Sequence, residues 1–227
     1  MKRLIMAMFV ITIGAGLYAQ DSFFPSKAGI VLTYVNNDER GSPESYTVLT
    51  IKDVKGSGNN ITITFVGTSL DKGRKLVKGS ETICKAVVKN SVLIMDINQM
   101  IPAEMRGQGM KIEAKGLPME LPNDMKPGLS LKDCWVTAKV DFGVMTANTT
   151  IKLTEGKCLA IENVKVPAGT FKCHKITQKY TVTAANVTVV STSTSWYAPN
   201  IGQVKSENYD DKKKLVSSSV LVDIKGR

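Results

Sequence analysis

Between residues 135 and 224 the chain is a succession of long runs rich in Thr and Val, cut by short turn signals, and this rhythm constrains the fold more than any other feature. The runs cover residues 135–145, 149–164, 170–183, 187–197, 202–209 and 215–224. Pro167-Ala168-Gly169, Ala198-Pro199-Asn200-Ile201-Gly202 and Asp210-Asp211-Lys212-Lys213 separate several of them. Thr and Val are stiff at χ1 and suit a pleated sheet, and short turns between such runs make antiparallel hairpins. The N-terminal half carries the same signal. Residues 30–35 and 45–54 read as strands, and Ile61, Ile63 and Phe65 alternate with Thr62 and Thr64. That period of two marks a sheet with one buried face. The expectation is an all-β fold of roughly ten to twelve strands: a strongly curved antiparallel sheet or incomplete barrel.

Residues 96–130 break the rhythm. Pro102, Pro118, Pro122 and Pro127 fall here, and the apolar positions do not alternate cleanly. A helical turn around residues 96–106 and an otherwise irregular course are expected, laid as a lid over the concave side of the sheet. Methionine concentrates in the same stretch, with Met95, Met100, Met105, Met110, Met119 and Met125 among the chain's 10. Met is flexible and polarizable, so it suits a surface that repacks around varied apolar partners. Met100, Met105, Met110 and Met119 are the lid positions expected to touch such a ligand. Plain gap filling under a loop is the alternative.

Residues 1–20 give an address. Lys2 and Arg3 precede an apolar run over residues 4–13, then Gly14, Ala15, Gly16 and a Tyr18-Ala19-Gln20 exit. These are the three zones of a secretory leader, and the run is shorter than the ~20 residues that a spanning helix needs. The expected division is a leader at 1–19 and one β-rich domain at 20–227, in the periplasm or secreted. A lipoprotein would carry a cysteine at the cleavage point, and the first here is Cys84. The formal net charge of +10 is read first as lysines on solvated strand faces and turn tips, with peripheral contact to an anionic envelope surface as the alternative. Clusters at Lys72, Arg74, Lys75, Lys78 and at Lys212, Lys213, Lys214 lack interleaved aromatics, so no nucleic-acid partner is expected.

The cysteines number four, at 84, 134, 158 and 173. In an oxidising compartment an even count suggests disulfides. A hairpin centred near Thr146 would set Cys134 opposite Cys158, leaving Cys84 with Cys173; buried free thiols are the other reading. No Cys-x-x-Cys pair exists and His174 is the single histidine, so no metal site and no cofactor is expected. No Gly-x-Ser-x-Gly elbow appears and aromatics make up 6% of the chain, which offers little to a sugar-stacking cleft. No catalytic residue is assigned, and a non-catalytic protein is expected.

Val166-Pro167-Ala168-Gly169-Thr170-Phe171-Lys172-Cys173-His174-Lys175-Ile176 and Ser195-Trp196-Tyr197-Ala198-Pro199-Asn200-Ile201-Gly202-Gln203-Val204-Lys205-Ser206-Glu207 form the most distinctive text. It resembles a family of exported Gram-negative bacterial proteins of unknown function termed TapB-like. Phe23-Phe24-Pro25 with Gly29 and Tyr34, and Cys84 ahead of Asp96, also fit that likeness. The resemblance implies a single β-rich domain similar to the half-barrels of LolA-type lipoprotein carriers, and it brings no catalytic residues. The function expected is a non-catalytic envelope protein with an apolar or lipid-like ligand in its concavity. The alternative is a module that docks onto another envelope protein.

Overall fold

The structure, a computed structural model, describes residues 22–101, 111–141, 146–185 and 187–227. The expected leader at 1–19, together with Met105 and Met110, lies outside the described residues. Thirteen strands form one antiparallel sheet. They are β1 (Val31–Asn37), β2 (Pro43–Ser57), β3 (Asn60–Asp71), β4 (Thr82–Lys89), β5 (Val92–Met95), β6 (Lys111–Leu117), β7 (Met119–Pro122), β8 (Cys134–Asp141), β9 (Thr146–Val166), β10 (Gly169–Ala184), β11 (Val187–Ala198), β12 (Gly202–Tyr209) and β13 (Leu215–Lys225). One short 3-10 helix, Ile97–Met100, follows β5. The spatial order is β6-β8-β9-β10-β11-β12-β13-β1-β2-β3-β4-β5-β7, with the two edge strands consecutive in the chain. The sheet is nearly closed into a barrel with one unsealed seam.

Turn chemistry sets the long hairpins. Pro167 and Ala168 link Val166 to Gly169, as the sequence leads one to expect. Gly58 and Asn59 link Ser57 to Asn60, with Gly58 at φ +58, where an L side chain is disfavoured. Across β10, β11 and β12, Lys175, Trp196 and Lys205 stand opposite one another. The two ammonium groups lie 5.2 and 4.9 Å from the centroid of the indole ring, and the indole N–H donates to Glu162 Oε1 at 2.6 Å. These cross-strand contacts fix register in the middle of the meander.

The seam is built from the stretch expected to be a lid, and this corrects that expectation. β6 and β7 are one extended run that changes partner at Pro118. Its first part pairs with β8 (Ile112↔Val140 to Leu117↔Trp135) and its second with β5 (Val92↔Pro122 to Met95↔Met119). Proline cannot donate to a ladder, so edge positions and partner changes are where a sheet tolerates it. Gly116 is required for a different reason: a Cβ there would stand 2.0 Å from the Trp135 carbonyl oxygen. Within the described part of 96–130, the 3-10 helix alone matches the expected helical turn, and it packs against β6 and β8 at the seam.

The interior holds two apolar clusters. The larger joins Leu32, Ile51, Ile63, Phe65, Leu93, Leu121, Ile176 and Leu221, and Phe23 and Phe24 enter it from the N-terminal segment. The Phe24 ring lies 4.9 Å from Phe65, and Phe23 lies 4.9 Å edge-on from His174. Each buried side chain of this size contributes roughly 1.5–3 kcal/mol. The smaller cluster centres on Ile101, Val136, Ala138 and Ile151, with Met100 and Tyr180 against it.

Candidate functional site: an interior cavity

A cavity of about 400 Å³ opens where the two clusters fail to meet. Leu49 of β2, Met95 of β5 and Met119 of β7 bound it from the larger cluster. Met100, Leu153 of β9 and Tyr180 of β10 bound it from the smaller one. Phe24, Tyr34 and Tyr197 complete the apolar wall. The volume lies within the range of ligand pockets, about 300–1,000 Å³. An adjoining space of about 260 Å³ shares Thr47, Leu49 and Gln99 with it. Of the expected lid methionines, Met100 and Met119 line the cavity together, and Met95 joins them. Met125 is buried in the core instead.

About half of the lining side chains, among them Tyr34, Thr47, Asp96, Gln99, Tyr197 and Gln203, carry polar groups, and several of these are engaged. The Tyr34 hydroxyl donates to the Gln203 carbonyl at 2.9 Å, and the Tyr197 hydroxyl to Gln203 Oε1 at 3.4 Å. Burial, and then their mutual proximity in the case of Tyr34, raises both phenol pKa values above the ordinary range, so both remain protonated donors. The Asp96 carboxylate caps the 3-10 helix, accepting from the Asn98 backbone N–H and from its side-chain amide at 2.9 Å each. The Gln99 Nε2 amide is buried with no partner. Tyr34, Tyr197, Gln99 and Gln203 were not singled out as site residues by sequence reasoning. They come from four separate elements, so no local pattern groups them.

The cysteines depart from the expected pairing. All four are buried thiols and no disulfide joins them. The β8–β9 hairpin pairs Cys134 with Leu153, because its centre lies nearer the chain start than Thr146. Cys158 is five positions farther along β9, roughly 16 Å at the rise of a strand. It faces Ile176, while Cys84 faces Phe65 and Cys173 faces Glu162. Burial, reinforced by Asp133, pushes the Cys134 thiol up to about 11; burial, reinforced by Glu162, pushes Cys173 up to about 12. Such thiols stay protonated and pack as small hydrophobes. Among the described residues no group of His, Cys, Asp and Glu is placed to hold a metal ion.

The sequence matches the DUF3108-like family over residues 27–221. The chain belongs to that family. A Bacteroides fragilis protein with a YmcC-like fold, inferred to be exported, superposes with a TM-score of 0.78 at 24% identity, covering 91% of this chain and 100% of its own. An inferred lipoprotein of Parabacteroides distasonis gives 0.77 at 19% identity, covering 90% and 99%. At these identities the likeness is one of fold. The hypothetical lipoprotein YmcC of Escherichia coli, at a TM-score of 0.35 and 8% identity, is too distant to bear on the architecture. No curated protein matches the sequence.

Proposed function

We propose that this DUF3108-like protein is an exported, non-catalytic envelope protein that holds an apolar, lipid-like molecule inside its barrel. The observation that carries the reading is the cavity of about 400 Å³ walled by Phe24, Leu49, Met95, Met100, Met119 and Leu153. An apolar chain placed there would gain dispersion contacts with these side chains. Three methionines on the wall give it an adaptable surface. The leader features of residues 1–19 support export to the periplasm or beyond, as do the descriptions of the structural neighbours. The TapB-like placement rests on the two C-terminal stretches, with Phe23-Phe24-Pro25, Gly29, Tyr34, Cys84 and Asp96 beside them. The exposed Lys72, Arg74, Lys75 and Lys78 cluster would favour peripheral contact with an anionic envelope surface. The test is uptake of the neutral dye N-phenyl-1-naphthylamine. Bright, saturable fluorescence in the wild type, lost in Leu49→Trp, is expected. Dark dye in the wild type contradicts the reading.

A second reading has its own observation. β11 pairs with β10 from Val187 onward, but with β12 only from Thr192. The intervening edge is unpaired on one side, with Val187 64% and Val189 59% exposed. Such an edge can accept a strand from another envelope protein. Cross-linking in intact cells from a residue placed at Val189 tests it. One dominant partner protein favours docking, and its absence removes that alternative.

A further inference from the structure

We infer that the ligand is a neutral acyl ester with a hydroxylated head, such as a monoacylglycerol, whose carbonyl oxygen accepts from Gln99. This deepens the apolar-ligand reading and rests on it. Gln99 lines both interior spaces, so its amide stands where they meet. Its Nε2 is buried and makes no hydrogen bond. Buried amide donors are nearly always paired, and an acceptor in the cavity supplies the missing partner.

The two spaces differ in chemistry. On one side of Gln99 lie Met95, Met100 and Met119, which suit an alkyl chain. On the other, alongside Phe65, Cys84 and Ile101, lie the uncharged hydroxyl side chains of Thr68, Ser69, Ser80 and Thr82. Ser80 Oγ already donates to the Ser69 carbonyl, so this wall is ordered. An amphiphile with its chain in the larger space and its carbonyl at Gln99 would place its head among these hydroxyls. Among the described residues that line the two spaces, Asp96 is the one charged side chain. Its carboxylate lines the larger space, close to Gln99 along the same helical turn, and disfavours an anionic group held at that amide. A free fatty acid is thus the wrong head for this cavity, and an uncharged ester the right one.

The test is competition against N-phenyl-1-naphthylamine on the delipidated mature protein, with 1-decanoylglycerol and sodium decanoate as the competitors. The ester is expected to displace the dye at about tenfold lower concentration than decanoate, because the anion alone must be desolvated beside Asp96. Gln99→Leu should weaken the ester two- to about tenfold, the worth of one net hydrogen bond, while dye binding stays within about twofold. Asp96→Asn keeps an acceptor for the helix cap and should strengthen decanoate several-fold. Equal displacement by the two competitors, or an ester affinity untouched by Gln99→Leu, overturns the inference while the apolar cavity stands. Failure of the dye to bind the wild type overturns both.

Discussion

The strands β8–β13 and the seam around β5, β6 and β7 belong to one sheet but are held in different ways. In the first region, strands as long as β9 and β10 pair through tight turns, so register is set locally and each pair supports the next. In the second, β5 has four residues and β7 has four, and the run across Pro118 divides its pairing between two partners. Long hairpins produce a packed interior around Ile176 and Cys173. The cavity lies between the two regions, with Met95 and Met119 on the seam side and Leu153, Tyr180, Tyr197 and Gln203 on the hairpin side.

Several substitutions sharpen or break this contrast. The largest effect is expected from Ile176→Ala, at a position 1% exposed within the hairpin core. It should cost about 2–5 kcal/mol, read as a lower urea midpoint with unchanged slope. Gly116→Ala drives a Cβ into the Trp135 carbonyl and should cost about 1–3 kcal/mol. Its signature should be local: amide exchange rises in β6 while β9–β13 stay protected. Gly67→Ala meets nothing nearer than Leu49 Cδ2 at 3.6 Å and serves as the mild control. A global loss of protection in Gly116→Ala, equal in all strands, would erase the distinction between the regions. Met119→Ala enlarges a space that already exists and should cost below about 2 kcal/mol, with a clear change in dye affinity.

The smallest expected effect is on pH dependence. Burial lowers the His174 pKa; a hydrogen bond with the Met125 backbone opposes that shift and Lys172 adds to it. The imidazole packs edge-on to Phe23, and its Nδ1 is buried without a partner. A depressed folded-state value means that the unfolded chain takes up a proton first as pH falls through about 6.5. Stability should therefore be level above that pH and decline below it, with His174→Gln flattening the slope. A urea midpoint for the wild type that holds steady from pH 7 to 5, or rises, would contradict this sign.

The same contrast explains what could be read from the sequence. Strand β12 was legible to the residue, and β9, β10, β11 and β13 to within a few, because alternation and turn residues act locally there. Ile112 and Ala114 alternate with Glu113 and Lys115, yet Gly116, Pro118 and Pro122 mask the strand signal. Those residues break a central strand and are accommodated at an edge, and edge status is a property of the closed sheet. The disulfide expectation failed on a hairpin centre misplaced by a few residues, which is enough to carry Cys158 past Cys134. Of the methionine cluster, Met95, Met100 and Met119 lie on the cavity wall. Gln99 and Gln203 gave no sign of it, because a lone Gln becomes distinctive only when its neighbours across the barrel are known.

Native mass spectrometry of the protein purified without detergent from its own host tests the central claim most directly. The account predicts a species heavier than the mature polypeptide by one lipid-sized molecule, released as a neutral on activation and missing from Leu49→Trp. A bare polypeptide mass for the wild type, with a folded charge-state distribution, would contradict it.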